Sequence, residues 1–292
     1  MHLSKVKSLF VVFLCYFIAI GTGYFFTINY ENNNLILVLL YADIIATVII
    51  YISSYIFKNA SIYDPYWSVI PPFLLIFWIL NIDSFNVINF YILLFSVLFW
   101  SIRLTFNWIR GWKGFVQEDW RYIDLRNKTG KCYQFGNFSG IHLFPTLIVF
   151  ICCIPFKFVL ESSSTSLSIY LGFAICFVGV LYEIISDQQL YLFKKKNPNA
   201  IIETGLWKYS RHPNYYGEIL FWWGLFIYGL GSENYIILIL SPILMTLMFL
   251  YISIPWIEKK ILLSRPEYKN YQKTVSILLP EVTFIKNKIY NN

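Results

Sequence analysis

The sequence of 292 residues is poor in charge, in histidine and in paired cysteine. Charged residues make up 13% of the chain and hydrophobic ones 58%, and the mean hydropathy is +0.57, whereas soluble domains carry about 25% charged residues. The shortage of charge excludes an ordinary soluble domain and indicates an integral membrane protein. Only three histidines are present, which argues against the histidine-rich membrane sites that hold zinc or two irons, so we predict no metal.

Linkers and a disulfide framework are also missing. The five cysteines are scattered, and an odd, scattered set predicts no disulfide pattern. No composition shift or internal repeat divides the chain, so we predict one membrane domain over residues 1–292. The net charge of +7 matches a membrane protein that faces anionic headgroups, and we predict no nucleic-acid partner.

Long apolar runs are what the sequence has in abundance. A membrane-spanning helix needs about 20 such residues, and runs of nearly that length or more cover 9–28, 35–57, 66–80, 85–102, 140–160, 167–190, 214–230 and 235–257. The third and seventh runs are short enough for half-helices. The predicted fold is therefore an all-α, multipass integral membrane bundle of about eight spans.

The distribution of cations predicts which side each loop faces. With eight spans, all of the 23 Lys and Arg residues except Lys157 fall on one side of the membrane. Cytoplasmic loops carry the excess of Lys and Arg, so we predict that both termini and the 103–139 loop are cytosolic. That loop interleaves Trp and Phe with Arg and Lys, which is typical of an interfacial segment or of a lid over a cytosol-facing cofactor.

Residues 205–224, GLWKYSRHPNYYGEILFWWG, combine a cation, a helix start and a carboxylate in one apolar segment. Arg211 is always charged, and Pro213 suits the first position of a helix whose amides would face an anion. The segment therefore predicts an anion-binding site. Alternatively, Ser210 or His212 merely caps the helix and Arg211 lies among lipid headgroups.

Carboxylates inside the predicted spans mark function by default. Glu183 and Asp187 are four residues apart, as are Asn214 and Glu218, so each pair shares one helix face. Both pairs fall in the cytosolic halves of their spans, near Lys194. They predict a polar pocket open to the cytosol, with a structural ion-pair network between helices as the alternative.

Acidic residues in the N-terminal half are harder to assign. Asp64 and Pro65 suit a helix cap and a first helical position, which is a sufficient structural role. Asp64 or Tyr66 could also donate a proton, so both are candidate catalytic residues. Asp43 lies nearer the opposite side of the membrane and is interpreted as a polar contact near a helix end.

Four motifs in the C-terminal part, together with two in the N-terminal half, carry a resemblance. They are SDQQLYLFKKK (186–196), the 205–224 segment, SPILMT (241–246) and RPEYKNY (265–271), joined by DPYWS (64–68) and EDWRY (118–122). This set resembles the C-terminal domain of the membrane steroid 5-alpha-reductase superfamily, in particular its 3-oxo-5-alpha-steroid 4-dehydrogenase-like branch. The resemblance implies a multi-helix reductase that binds NADPH from the cytosol and aims the nicotinamide into a lipid-accessible cavity.

The resemblance also implies roles for particular residues, and it makes 183–280 the most family-specific, cofactor-binding part. The predicted cofactor-binding residues are Glu183, Asp187, Lys194, Tyr209, Arg211, His212, Asn214, Tyr215 and Glu218. The N-terminal half shows no sequence pattern that places the Glu and Tyr pair with which steroid reductases polarise an enone. The substrate and the proton donor therefore stay open at the level of sequence.

Three functions follow from these patterns. The first is hydride transfer from NADPH to a C=C bond of a steroid, sterol or other apolar lipid that enters from the bilayer. The second is an S-adenosylmethionine-dependent methyltransferase, because RHPxYxG before a Glu-containing aromatic stretch is also similar to isoprenylcysteine carboxyl and phospholipid methyltransferases. The third is a non-enzymatic membrane scaffold. HPNYYGE followed by WWG favours the reductase, whose resemblance implies the endoplasmic reticulum in a eukaryote and the inner membrane in a bacterium.

Overall fold

The computed structural model describes residues 4–30, 34–231 and 238–278, and every regular element in these ranges is a helix. This confirms the predicted all-α class. The chain divides into two compact units, residues 1–165 (unit 1) and 166–292 (unit 2). The boundary falls in the short polar segment ESSSTS (161–166), which separates two apolar helical runs.

Unit 1 consists of four long helices followed by shorter ones. They are α1 (Lys5–Asn29), α2 (Leu35–Phe57), α3 (Tyr66–Ile79), α4 (Val87–Gly111), α5 (Trp120–Thr129), α6 (Tyr133–Gly136), a π-helix (Asn137–Leu143), α7 (Phe144–Cys153) and α8 (Pro155–Leu160). A 3-10 turn, Ala60–Ile62, precedes α3. The fourth predicted span ended at residue 102, but α4 continues to Gly111, because long Arg side chains can keep their charge in water while their stems cover apolar surface.

Unit 2 contains one very long helix and several shorter ones. They are α9 (Leu167–Lys196), α10 (Pro213–Tyr228), α11 (Leu240–Met248), a π-helix (Phe249–Ser253), α12 (Ile254–Ser264) and α13 (Tyr268–Thr274). Pro213 occupies the first turn of α10, as its fixed φ and missing N–H predict.

Seven helical segments in the described ranges are long and apolar enough to cross a membrane. They are 5–29, 35–57, 60–79, 87–111, 120–160, 167–196 and 240–264. The eighth predicted span, 214–230, corresponds to α10, which has 16 residues and is roughly 24 Å long at 1.5 Å per residue. The structure thus supports a multipass helical membrane protein in which α10 is the short member. The start of the last predicted span, 235–237, and the extreme termini lie outside the described residues.

The predicted 103–139 loop forms α5 and is fastened to the turn before α3. Asn59 Nδ2 donates to the carbonyl oxygen of Gln117 at 2.9 Å, and the amide of Ala60 donates to Glu118 Oε1 at 2.9 Å. The amide of Asp119 donates to Ser61 Oγ at 2.7 Å. These bonds hold the start of α5 beside the start of α3.

In unit 2, α9 and α10 pack backbone against backbone along a glycine-lined contact. A Cβ added to Gly217 would lie 2.5 Å from the carbonyl oxygen of Gly179, and one added to Gly172 would lie 2.8 Å from that of Gly224. In each helix the two glycines are seven residues apart, so they recur on one face. Small residues of this kind let membrane helices approach closely, where dispersion contacts replace the hydrophobic driving force.

This contact generates a prediction for Gly217→Val. A valine would force the two backbones apart, and overpacking of this type costs about 1–3 kcal/mol, so we expect a clear loss of thermal stability in detergent. Gly21→Val is the matched control, because a Cβ at Gly21 meets no atom within 4 Å. Equal melting temperatures for the two variants would contradict the close packing.

Candidate functional site

The polar faces predicted on α9 and α10 meet within unit 2. Asn214 Nδ2 donates to Asp187 Oδ1 at 3.2 Å. This bond joins the two helices at the level where the sequence placed both polar pairs. The other amide atom, Asn214 Oδ1, is buried and has no hydrogen-bond donor within the described part of the chain. An additional acceptor is therefore present at the point where the two helices meet.

Glu218 and Glu183, one turn along each helix from this pair, are both buried. Glu218 is 4% exposed, and its Oε1 accepts a hydrogen bond from Trp222 Nε1 at 3.0 Å. Glu183 is 1% exposed and packs against the α10 backbone, since a Cβ on Gly217 would lie 2.7 Å from Glu183 Cγ. The glycine-lined contact thus brings Glu183 to the interface between α9 and α10, whereas the bond from Trp222 to Glu218 lies within α10 itself.

Arg211 is buried and engaged in a network centred on Glu258. Its Nε donates to Glu258 Oε1 at 2.7 Å, and its Nη1 donates to the carbonyl oxygens of Gln272 and Val275 at 2.9 and 2.7 Å. Glu258 Oε2 accepts from Gln272 Nε2 at 2.7 Å. The guanidinium charge is therefore compensated inside the protein, which corresponds to the ion-pair alternative rather than to an open anion site or to lipid headgroups.

His212 and Tyr268 complete the Glu258 network. His212 Nε2 lies 2.9 Å from Glu258 Oε1, and the hydroxyl of Tyr268 donates to the same oxygen at 3.1 Å. Burial lowers the pKa of His212, although the hydrogen bond to Glu258 opposes that shift. Burial, together with the nearby carboxylate, raises the pKa of Tyr268. Both groups therefore act at neutral pH as uncharged donors to one carboxylate.

The segment before α10 is tied down from two directions. Trp207 Nε1 donates to the carbonyl oxygen of Ser186 in α9 at 3.1 Å. On the other side, the amide of Arg211 donates to the carbonyl oxygen of Ser276 at 2.9 Å. The hydroxyl of Tyr271 donates to the carbonyl oxygen of Trp207. The chain after α13 is thereby fixed along the 205–212 segment.

The remaining predicted cofactor residues are arranged less closely. The Tyr215 ring stacks on His212 with 5.6 Å between centroids and packs against Phe249 at 4.8 Å. Tyr209 is 40% exposed. Lys194 is exposed near the end of α9 and has no hydrogen bond or ion pair with other described residues. Its ammonium group is thus available to solvent.

Asp64 and Tyr66, the two candidate catalytic residues of unit 1, belong to separate polar groups. The hydroxyl of Tyr122 in α5 donates to Asp64 Oδ1, and Arg121 Nη2 lies 4.0 Å from the same oxygen. Asp64 therefore connects the start of α3 to α5, and its carboxylate is already paired.

Tyr66 instead points to Asp43. Its hydroxyl donates to Asp43 Oδ1 at 2.7 Å, and both residues are almost completely buried, with 0% and 1% exposure. Asp43 Oδ2 has no partner within the described part of the chain. An acid and a tyrosine thus form a buried pair between α2 and α3, although the sequence predicted only a minor contact for Asp43.

A family model described as a protein of unknown function, DUF1295, matches residues 50–275. The chain belongs to the DUF1295 family. It is also similar to an uncharacterized protein of Schizosaccharomyces pombe, with 24% identity over 262 residues that cover 80% of this chain and 73% of the relative. No solved structure shows a significant match.

The DUF1295 match covers the α9–α10 contact, the Glu258 network and the Tyr66 side of the buried pair, but it begins after Asp43. Chemically, the α9–α10 face offers mainly hydrogen-bond acceptors, since Asp187 and Glu218 carry carboxylates and Asn214 has its amide oxygen unused. Such a face suits a ligand that donates from hydroxyl or amide groups.

Sequence reasoning missed Glu258, which follows an apolar run and lies 47 residues after its partner Arg211. A carboxylate at the end of a predicted span was a usable signal, because such groups are rarely left without a partner. The RPEYKNY motif, which supplies Tyr268 and Tyr271, was a second signal. Neither signal indicates which residue of the 205–224 segment these groups contact.

The Glu258 network generates a prediction for Glu258→Gln in this DUF1295 protein. The substitution leaves the buried Arg211 without its counter-charge, so we expect the free energy of unfolding to fall by about 3 kcal/mol. Glu161→Gln is the matched control, because Glu161 pairs with Lys157 at an exposed position where a pair contributes about 1 kcal/mol or less. Denaturant unfolding in detergent measures both. Equal effects would show that the Glu258 network does not stabilise unit 2.

Proposed function

We propose that this protein is a membrane oxidoreductase that transfers a hydride from NADPH to a C=C bond of a steroid, a sterol or another lipid. The observation that carries the proposal is the polar face between α9 and α10, where Asn214 joins Asp187 at 3.2 Å and keeps a buried amide oxygen without a donor. The motif resemblance to steroid 5-alpha-reductases supports the assignment of that face to a nicotinamide cofactor.

The residues of this face fit the donor groups of the cofactor. A carboxamide N–H or a ribose hydroxyl can donate to Asn214 Oδ1, and Asp187 and Glu218 provide further acceptors. Burial of this face strengthens such bonds because water competes less for the acceptors. When bound, NADPH supplies the hydride itself, while these side chains orient it.

The phosphate groups of NADPH require cations, and the pairing of Arg211 and Lys194 supports one assignment over the other. Arg211 is neutralised by Glu258 at 2.7 Å, so we assign it to holding the segment before α10 in place. Lys194 is exposed and unpaired among the described residues, and α10 begins at Pro213 without a side-chain cap. A basic side chain and a helix start are both suited to phosphate groups. In this proposal Lys194, rather than Arg211, is therefore the main cationic side chain that contacts the phosphate groups of NADPH.

The buried pair of unit 1, considered by itself, has the chemistry of a hydrogen-bond donor to a carbonyl oxygen. Hydride addition to an electron-poor alkene moves an electron pair onto the conjugated carbonyl oxygen, and a hydrogen-bond donor aimed at that oxygen lowers the barrier. Tyr66 carries the donor hydroxyl, whose one proton is bonded to Asp43 Oδ1 at 2.7 Å in the free protein, so the hydroxyl would turn from Asp43 to the substrate oxygen when it acts. Asp64 is occupied by Tyr122, so we assign it a structural role rather than the donor role.

Cofactor binding is tested with purified protein, NADPH, NADH and S-adenosylmethionine in a thermal-unfolding assay. We expect NADPH at 100 times its Kd to stabilise the protein by ~2.7 kcal/mol. Asn214→Ala removes one hydrogen bond worth about 1 kcal/mol, so the affinity should fall about fivefold. Asn270→Ala, at an exposed position of α13, is the control and should bind as the native protein does.

The alternative functions predict other outcomes of the same assay. Stabilisation by S-adenosylmethionine without stabilisation by NADPH would replace the reductase with a methyltransferase. Stabilisation by none of the three ligands would favour a non-enzymatic scaffold.

The donor role generates a prediction for Tyr66→Phe. Loss of one donor to a developing oxyanion reduces turnover by about 100-fold or more, so NADPH consumption with enone lipids should fall by that factor while NADPH binding is unchanged. Tyr24→Phe is the control, because Tyr24 is 40% exposed on α1 and its hydroxyl has no bond within the described residues. Full turnover by Tyr66→Phe would remove Tyr66 from the mechanism.

A further inference from the structure

Four buried acceptor atoms in unit 1 have no hydrogen-bond donor within the described part of the chain. They are Asp43 Oδ2, Asn89 Oδ1, Asn137 Oδ1 and His142 Nε2, and their residues are 1%, 0%, 2% and 0% exposed. Most buried polar atoms in proteins are paired. The indole N–H groups of Trp78 and Trp108 are also buried without an acceptor among the described residues. Three of the acceptors, those of Asp43, Asn137 and His142, are considered together here because neighbouring side chains connect them, and each of the three lacks a donor.

Aromatic and hydroxyl side chains connect Asp43 to His142. Tyr66 donates to Asp43 at 2.7 Å, and the Tyr63 ring lies 5.4 Å from the Tyr66 ring and 4.8 Å from the His142 ring. The Tyr63 hydroxyl pairs with Thr146 Oγ1 at 2.9 Å. These residues, together with Asn137 and Thr47, are here called the unit 1 polar cluster.

The hydrogen bonds of His142 determine which kind of group it can bind. Its Nδ1 lies 3.0 Å from the carbonyl oxygen of Asn137, and a carbonyl can only accept, so Nδ1 carries the proton of the neutral ring. Nε2 is then a lone-pair acceptor. It can accept from an O–H or N–H group, and it cannot pair with a carbonyl or an ether oxygen.

The backbone around His142 is also unusual. Residues 137–143 form a π-helix, a rare conformation that occurs frequently at functional sites. Both Asn137 and His142 belong to this short segment, so two of the three unpaired acceptors are placed by it. The Tyr51 ring meets the His142 ring edge-on at 5.5 Å, which gives the acceptor an aromatic surrounding suited to an apolar ligand.

We propose that the unit 1 polar cluster binds a hydroxyl-bearing lipid, whose O–H group donates to His142 Nε2. The lipid body is apolar because the cluster lies in helices long and apolar enough to cross a membrane. The hydroxyl is required because each unpaired acceptor needs a donor. That this lipid is the substrate rests on the proposed reductase function, whereas its binding does not.

The test compares lipid alcohols with their methyl ethers, which keep the oxygen and lose the donor. Cholesterol is paired with cholesteryl methyl ether, and hexadecan-1-ol with 1-methoxyhexadecane, in thermal titrations of the full chain without NADPH. We expect the alcohol of at least one pair to reach half-saturation at a concentration at least fivefold lower than its ether. Equal half-saturation within both pairs, or no stabilisation by any of the four probes, would overturn the inference.

Two variants test whether His142 causes the preference for the alcohol over its methyl ether. His142→Phe cannot accept a hydrogen bond and should abolish the difference between alcohol and ether, whereas His142→Gln retains an acceptor and should recover part of it. Tyr24→Phe is the control and should discriminate as the native protein does. Persistent discrimination in a folded His142→Phe protein would contradict the role of Nε2. If His142→Phe does not fold, the comparison of alcohol with ether in the native chain still decides the proposal.

The result is separable from the test of the proposed function. Preference for the alcohol without any NADPH binding would support the lipid site and remove only its role as a substrate site. NADPH-dependent reduction without any preference for an alcohol would retain the reductase and overturn the hydroxyl requirement.

Discussion

Backbone contact between α9 and α10 is the constraint on which the polar arrangement of unit 2 depends. Gly179 and Gly217 leave no side chain between the helices, and this lets Asp187 and Asn214 meet at 3.2 Å. Within a bilayer, water is not present to pair polar groups, so each helix must supply partners for the other. A larger helix separation would leave the acids without those partners.

Two buried carboxylates, one in each unit, are paired to different extents. In unit 2, Glu258 accepts hydrogen bonds from Arg211, His212, Tyr268 and Gln272, so its charge is met by several donors. In unit 1, Asp43 has a single side-chain donor among the described residues, Tyr66, and its other oxygen has no partner among them. A fully paired network stabilises and fixes a local structure, whereas an incompletely paired one retains the capacity to bind a ligand.

Contacts between residues close together in the sequence were predicted more often than contacts between residues far apart in it. The facing acids of α9 and α10 were predicted because a spacing of four residues places two side chains on one helix face. Asp64 and Tyr66 were alternative candidate proton donors, and they contact α5 and α2 respectively, because residues two apart on a turn point in different directions. Glu258 was missed because its partner lies 47 residues away and no local pattern encodes that separation.

The sequence by itself determined the membrane class, the positions of the helices and the start of α10 at Pro213, because hydrophobicity, helical period and proline geometry are local properties of the chain. The tertiary structure alone decided that Arg211 pairs with Glu258, that Tyr66 pairs with Asp43 and that His142 has one nitrogen without a partner among the residues that the structure describes. A buried polar side chain takes its partner from whichever helices pack around it. That choice depends on contacts between distant segments, which no window of the sequence contains.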